Sequence, residues 1–93
     1  MDAIRELLVT DAAAEKLGRR DISDAEAEQV LRNESVTARN PSAGGEVERR
    51  LLIGRTDGGR VLTLVIERTV EPSTWLVVTG WTATERERKL LGD

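Results

Sequence analysis

The sequence predicts an α+β domain, an antiparallel sheet of three to four strands with two N-terminal helices and a short C-terminal helix. Three observations point to it. Residues 49–81 hold nearly every apolar run in the chain, in segments rich in Val, Ile, Leu, Thr and Trp that are separated by Asp, Gly, Pro and Ser. Two stretches read Ser/Thr-x-x-Glu ahead of apolar residues at helical spacing, which marks a helix start. Ninety-three residues, 39% hydrophobic and 33% charged, suffice for one core, are too apolar for disorder and include no run long enough to span a bilayer. One domain over 1–93, with no membrane partner, is the expectation.

The opening IRELLVT, residues 4–10, alternates imperfectly and reads as an edge strand or the start of a helix, with the strand favoured. Thr10 or Asp11 then caps a helix through AAAEKLGRR, alanine-rich and closed near Gly18. Ser23-Asp24-Ala25-Glu26 is a capping box, Ile22 and Ala27 form a weak staple, and Ala27, Val30 and Leu31 make the buried stripe of a helix ending near Arg32-Asn33. Asp24, Glu26 and Glu28 sit where the positive end of the helix dipole favours acids, so they read as helix-stabilising charge and not as metal ligands. Residues 36–39 suit a short strand, and 40–45, NPSAGG, a flexible turn without a phosphate-loop pattern.

Three strands follow in a meander, at 48–56, 60–69 and 74–81. Asp57-Gly58-Gly59 suits a tight hairpin, because glycine reaches positive φ without the clash of a β-carbon. A two-residue turn there places Leu51, Ile53, Leu62, Leu64 and Ile66 on one face, the expected core, and Arg50, Leu52, Val61, Thr63 and Val65 on the other. A three-residue loop with a bulge shifts that register by one. Strict alternation along the third strand sets Trp75 and Trp81 on the same face. Thr82-Ala83-Thr84-Glu85 reads as a second capping box, opening a helix that stops at Gly92, with Arg86, Arg88 and Lys89 complementing the dipole and Leu90 and Leu91 pinning it to the sheet.

The net charge of -3 runs against the basic excess of a nucleic-acid binder, but residues 1–45 carry six basic and nine acidic side chains while 46–93 carry eight of each. Around the hairpin Arg49, Arg50, Arg55 and Arg60 face a single acid, Asp57, and read either as a local positive patch or as strand-end arginines whose stems cover apolar edges. The chain has no cysteine, hence no disulfide framework and no thiolate metal site. MDAIRELLVT, with an acid at its second position and no small-residue cleavage signal, does not read as a secretory leader, so a cytoplasmic location is expected.

Over 52–89 the chain resembles the BrnT family of small toxins, which share a RelE/ParE-like fold. The resemblance rests on Ile53-Gly54-Arg55-Thr56 with Gly59-Arg60-Val61-Leu62 just after it, on the apolar strand 64–66, and on Val77-Val78-Thr79 leading into Ala83-Thr84-Glu85-Arg86-Glu87-Arg88, where the family has an Ala-Thr-x-x-Glu-Arg helix. Lys16-Leu17-Gly18 followed by Ile22-Ser23 is similar to the family's N-terminal Lys-His-Gly and following helix start. The resemblance implies the toxin of a type II toxin-antitoxin pair, an mRNA endoribonuclease that needs no metal or cofactor, acts on RNA or at the ribosome, and is silenced by an antitoxin protein. In such cleavage a 2'-hydroxyl attacks the adjacent phosphate, which requires a proton acceptor, cations for the phosphorane charge and a proton donor for the leaving oxygen. The cationic part then falls to Arg55, Arg60 and Arg86, with Glu85 and Arg86 matched to the family's last block. Lys16 contributes from the N-terminal side, Arg50 belongs to the binding patch, and Trp75 or Trp81 stacks a base. Trp81 stands where the family has an arginine, and the chain has no histidine or tyrosine to move a proton near neutral pH. The alternative is a non-catalytic protein-binding module that keeps the toxin-like fold and docks a partner on its tryptophan-bearing face.

Overall fold

Residues 3–40 and 47–93 are described in a computed structural model. The elements run β1 (Glu6–Val9), α1 (Asp11–Gly18), α2 (Asp24–Arg32), β2 (Ser35–Arg39), β3 (Arg49–Arg55), β4 (Val61–Arg68), β5 (Thr74–Thr82) and α3 (Glu85–Leu91). The fold is α+β. Residues 41–45 of the 40–45 segment read as a flexible turn lie outside the described residues.

Capping fixes the helix starts. Thr10 accepts from the Ala13 amide at the head of α1, and Ser23 and Glu26 form the reciprocal capping box of α2. At α3 the box lies two residues beyond the expected one. Thr84 is the N-cap and Glu87, not Glu85, reaches back, because Thr82 is still paired with Leu62 as the last residue of β5. Helix α1 ends at Gly18, the expected stop, and the αL residue of the turn that follows is Asp21, at φ 59.

The sheet has five strands in the order β1-β5-β4-β3-β2. Strands β2 to β5 form an antiparallel meander, but β1 runs parallel to β5, with Leu7 opposite Trp75 and Val9 opposite Val77. The sheet is therefore mixed, and larger than the expected three to four antiparallel strands. Its parallel pair joins the first and last strands, which two helices and three strands separate in sequence, and local patterning does not register such a pairing.

The β3-β4 hairpin closes with a three-residue loop. Thr56 donates its amide to the Arg60 carbonyl at 2.8 Å, the Gly59 amide donates to the Thr56 carbonyl at 2.9 Å, and Gly59 adopts φ +88, the left-handed position of such loops. Leu52 therefore lies opposite Leu64, and Ile53 opposite Thr63. This overturns the face assignment that follows from a two-residue turn. Leu52, Leu62, Leu64 and Ile66 form the main core with Leu17 of α1, Ala27 and Val30 of α2, and Ile22 between them. Ile53 and Val61 face the other way, packed with Ala83, just before α3, and with Leu91 of that helix. Leu90, expected to help pin that helix, is exposed. Gly54 permits the close seat of α2 on β3, since a Cβ there would lie 2.9 Å from Ser35 Cβ and 3.0 Å from Val30 Cγ1.

The two tryptophans are also separated. Val65 pairs with Thr79 but Ile66 with Val77, so Val78 is an extra residue in β5, a bulge that reverses which side chains point where. Trp75 consequently joins the helix-side core at 3% exposure, while Trp81 stands on the α3 side opposite Thr63. Among the described residues no helix is long and apolar enough to cross a membrane.

Candidate functional site

The polar groups that connect separate elements gather at the hairpin end of the sheet. Asp57 at the loop tip is held by the end of α2. Gln29 Oε1 accepts from the Asp57 amide at 3.0 Å, and the Asp57 carboxylate accepts from Asn33 Nδ2 and Arg32, each at 3.0 Å. Asn33 Nδ2 also donates to the Arg55 carbonyl at 2.9 Å. These contacts leave an open depression of about 650 Å3, bounded by Asn33, Glu34, Arg55, Thr56 and Leu91.

On the helix side of this end, Arg60 is a structural clamp. Its guanidinium donates to the Asp21 carbonyl at 2.6 Å and to the Arg20 carbonyl and Thr82 Oγ1, both at 3.1 Å, and lies 3.6 Å from the Glu26 carboxylate. It thereby joins the α1-α2 turn to the ends of β4 and β5. On the opposite side Arg55 pairs with the Asp93 carboxylate, which also receives Arg88 Nε at 2.8 Å and Arg88 Nη2 at 2.6 Å. The two hydrogen-bonded guanidiniums hold the Asp93 carboxyl below the usual carboxylate range, the Arg88 bond being the largest influence. Arg55 and Arg60, both expected to supply the cationic part of the site, thus project from opposite faces of the sheet.

The other sequence candidates are dispersed. Glu85 and Arg86 are exposed on α3, and neither has a hydrogen-bonded or ionic partner among the described residues. Lys16 is exposed on α1. Arg50 donates to Glu48 at 2.6 Å, near the far end of β3 from the hairpin. Its hydrogen bond, with Arg68 adding, lowers the Glu48 pKa despite the opposing effect of desolvation. Trp75 is core, and Trp81 is half-buried with the Arg20 guanidinium 6.0 Å from its ring centroid.

Glu87 and Arg88 are the functional-looking residues that sequence reasoning passed over. A single oxygen of Glu87, Oε1, accepts from Thr63 Oγ1 at 3.0 Å, Trp81 Nε1 at 2.9 Å and the Thr84 amide at 2.9 Å. Burial pushes the Glu87 pKa up, but the Thr84 amide, Trp81 and Thr63 together pull it further down, so the net shift is downward. The signal was present: counted from Ala83-Thr84, the spacing Ala-Thr-x-x-Glu-Arg ends on Glu87-Arg88 and not on Glu85-Arg86. Among the described residues no group of three or more His, Cys, Asp or Glu is placed to hold a metal ion. Comparison of the chain with protein-family models, curated proteins and solved structures gives no match.

Proposed function

We propose that this chain is a non-catalytic module of RelE/ParE-like fold that acts by docking a protein, an antitoxin-type partner in keeping with the BrnT-like residues, and that it does not cleave RNA. The carrying observation is the engagement of Arg60 by two carbonyls and the Thr82 hydroxyl, with Arg55 on the other side of the sheet. A cation already bonded to backbone within the fold does not double as a mobile clamp for a phosphorane. Proton transfer is equally unsupported. Glu48, Glu87 and Asp93 are held more acidic than usual by the donors around them and are therefore weaker bases, and the chain has no histidine or tyrosine. The element order, a strand, two helices, a meander and a short helix, supports the toxin-like fold.

The endoribonuclease reading keeps one observation in its favour, the convergence of Arg55 and Arg88 from two elements on one carboxylate. It then requires Glu85 or Arg86 to act from exposed positions on α3, with Lys16 on α1 at the other face of the sheet. Co-expression with the product of the adjacent gene, followed by size-exclusion chromatography, tests the docking function. A stoichiometric complex, with normal growth when the chain is expressed alone, is expected. Growth arrest that Arg55→Ala abolishes in a folded protein, with no complex formed, would establish the nuclease instead.

A further inference from the structure

We infer that Arg55 and Arg88 form a binding site for a phosphate dianion, occupied in the resting fold by the Asp93 side chain as an internal substitute. The inference does not depend on the protein-docking reading, since it concerns a small anion and is read from the titration of Arg55 and Arg88 alone. Two cationic side chains from different elements, β3 and α3, converge on one point. Arg55 Nη2 donates to Oδ1 of Asp93 and Arg88 Nε to Oδ2, so both carboxylate oxygens are taken, and Arg88 Nη2, 2.6 Å from the same Oδ2, makes an ionic contact with no oxygen of its own. A phosphate supplies a third oxygen, so each donor has its own acceptor, and its second negative charge balances the second guanidinium.

The site is open to exchange. The Arg55 and Arg88 side chains are 38% and 51% exposed, and Asp93 follows Gly92, whose left-handed φ of +91 ends the helix. The Asp93 side chain is 24% exposed, so water reaches the pair and screens it, and Asp93 competes only as a tethered, partly solvated carboxylate. The surroundings select for size. Glu34 and Asp57 line the adjoining depression, and their charges oppose a polyanion laid across it while leaving room for one compact group. The ligand class is therefore inorganic phosphate or a small phosphate monoester, and not an RNA backbone.

Titration with inorganic phosphate at about pH 8, where a phosphate is doubly charged, tests this with the full chain at constant ionic strength. The readout is the Nε–Hε NMR signals of Arg55 and Arg88. Saturable shifts of both signals are expected in the wild type, with apparent affinity raised about fivefold in Asp93→Asn, the gain from removing a weak tethered competitor. Arg88→Ala should abolish the response with an unchanged circular dichroism spectrum; if that variant is unfolded, Arg88→Lys, which keeps charge but loses the fork, should weaken it. Equal responses to phosphate and chloride, or an affinity unchanged by Asp93→Asn, would overturn the inference. Salt-sensitive binding of single-stranded RNA to Asp93→Asn with no response to phosphate would overturn it too, marking a polyanion surface.

Discussion

Replacing Glu87 with alanine removes the shared acceptor of three hydrogen bonds, and the structure sets the size of the effect. Thr63 is fully buried in the intact fold, so removing Glu87 leaves its hydroxyl without its protein partner, at a cost of about 1–3 kcal/mol. The loss of the capping-box carboxylate and of the Trp81 contact adds about 1 kcal/mol. Glu87→Ala should therefore destabilise the fold by about 3 kcal/mol. Glu87→Gln keeps an oxygen in place and loses only the charge assistance, about 1 kcal/mol. Urea denaturation followed by tryptophan fluorescence at neutral pH measures both. Acidification supplies a second axis. The Glu87 carboxyl is more acidic in the folded chain than is usual, so its contribution is complete above the unfolded-state pKa of about 4.3 and fades as pH falls through the lower folded value. The gap between wild type and Glu87→Gln should be constant near neutral pH and close in acid. An alanine variant within about 0.5 kcal/mol of wild type, the level of ordinary surface substitutions, would refute the role given to this carboxylate.

Arg60→Ala should lower stability by about 2 kcal/mol, because three hydrogen bonds tying the α1-α2 turn to the sheet are lost and carbonyls beneath it must find water; a folded variant with unchanged melting would contradict the clamp. Gly54→Ala should cost about 2 kcal/mol through overpacking against Ser35 and Val30, and Gly80→Ala a similar amount, since its Cβ would lie 2.7 Å from Leu64 Cδ2; thermal denaturation decides both. Trp75→Ala should cost about 4 kcal/mol by emptying the helix-side core. Trp81→Ala should cost clearly less, and equal losses would mean that the β5 bulge does not separate the two rings.

The elements were legible where a local rule governs them. Ser23 and Glu26 announce α2 through a pattern of four residues, and Thr, Val, Ile and Leu runs mark β3, β4 and β5. Faces were not legible, because parity is decided by single-residue events. The third loop residue, Gly59, moved Leu52 into the main core and Ile53 out of it, and the extra Val78 sent Trp75 and Trp81 to opposite sides. At the candidate site the same limit applies. Arg55 and Arg60 stand five apart in sequence, but Arg60 meets its partners in the α1-α2 turn and at the end of β5, and Arg55 meets Asp93 across from β3. The capping choice between Glu85 and Glu87 turned on whether Thr82 was already committed to β5, a fact set by pairing with Leu62.

The most direct test of a module that docks and does not cut is the integrity of cellular mRNA after induced expression of the chain alone, which registers both free and ribosome-dependent cleavage. Intact transcripts and uninterrupted growth are predicted for wild type and for Arg60→Ala alike. New transcript ends that appear with the wild type, and vanish with a folded Arg55→Ala or Arg60→Ala variant, would contradict the account.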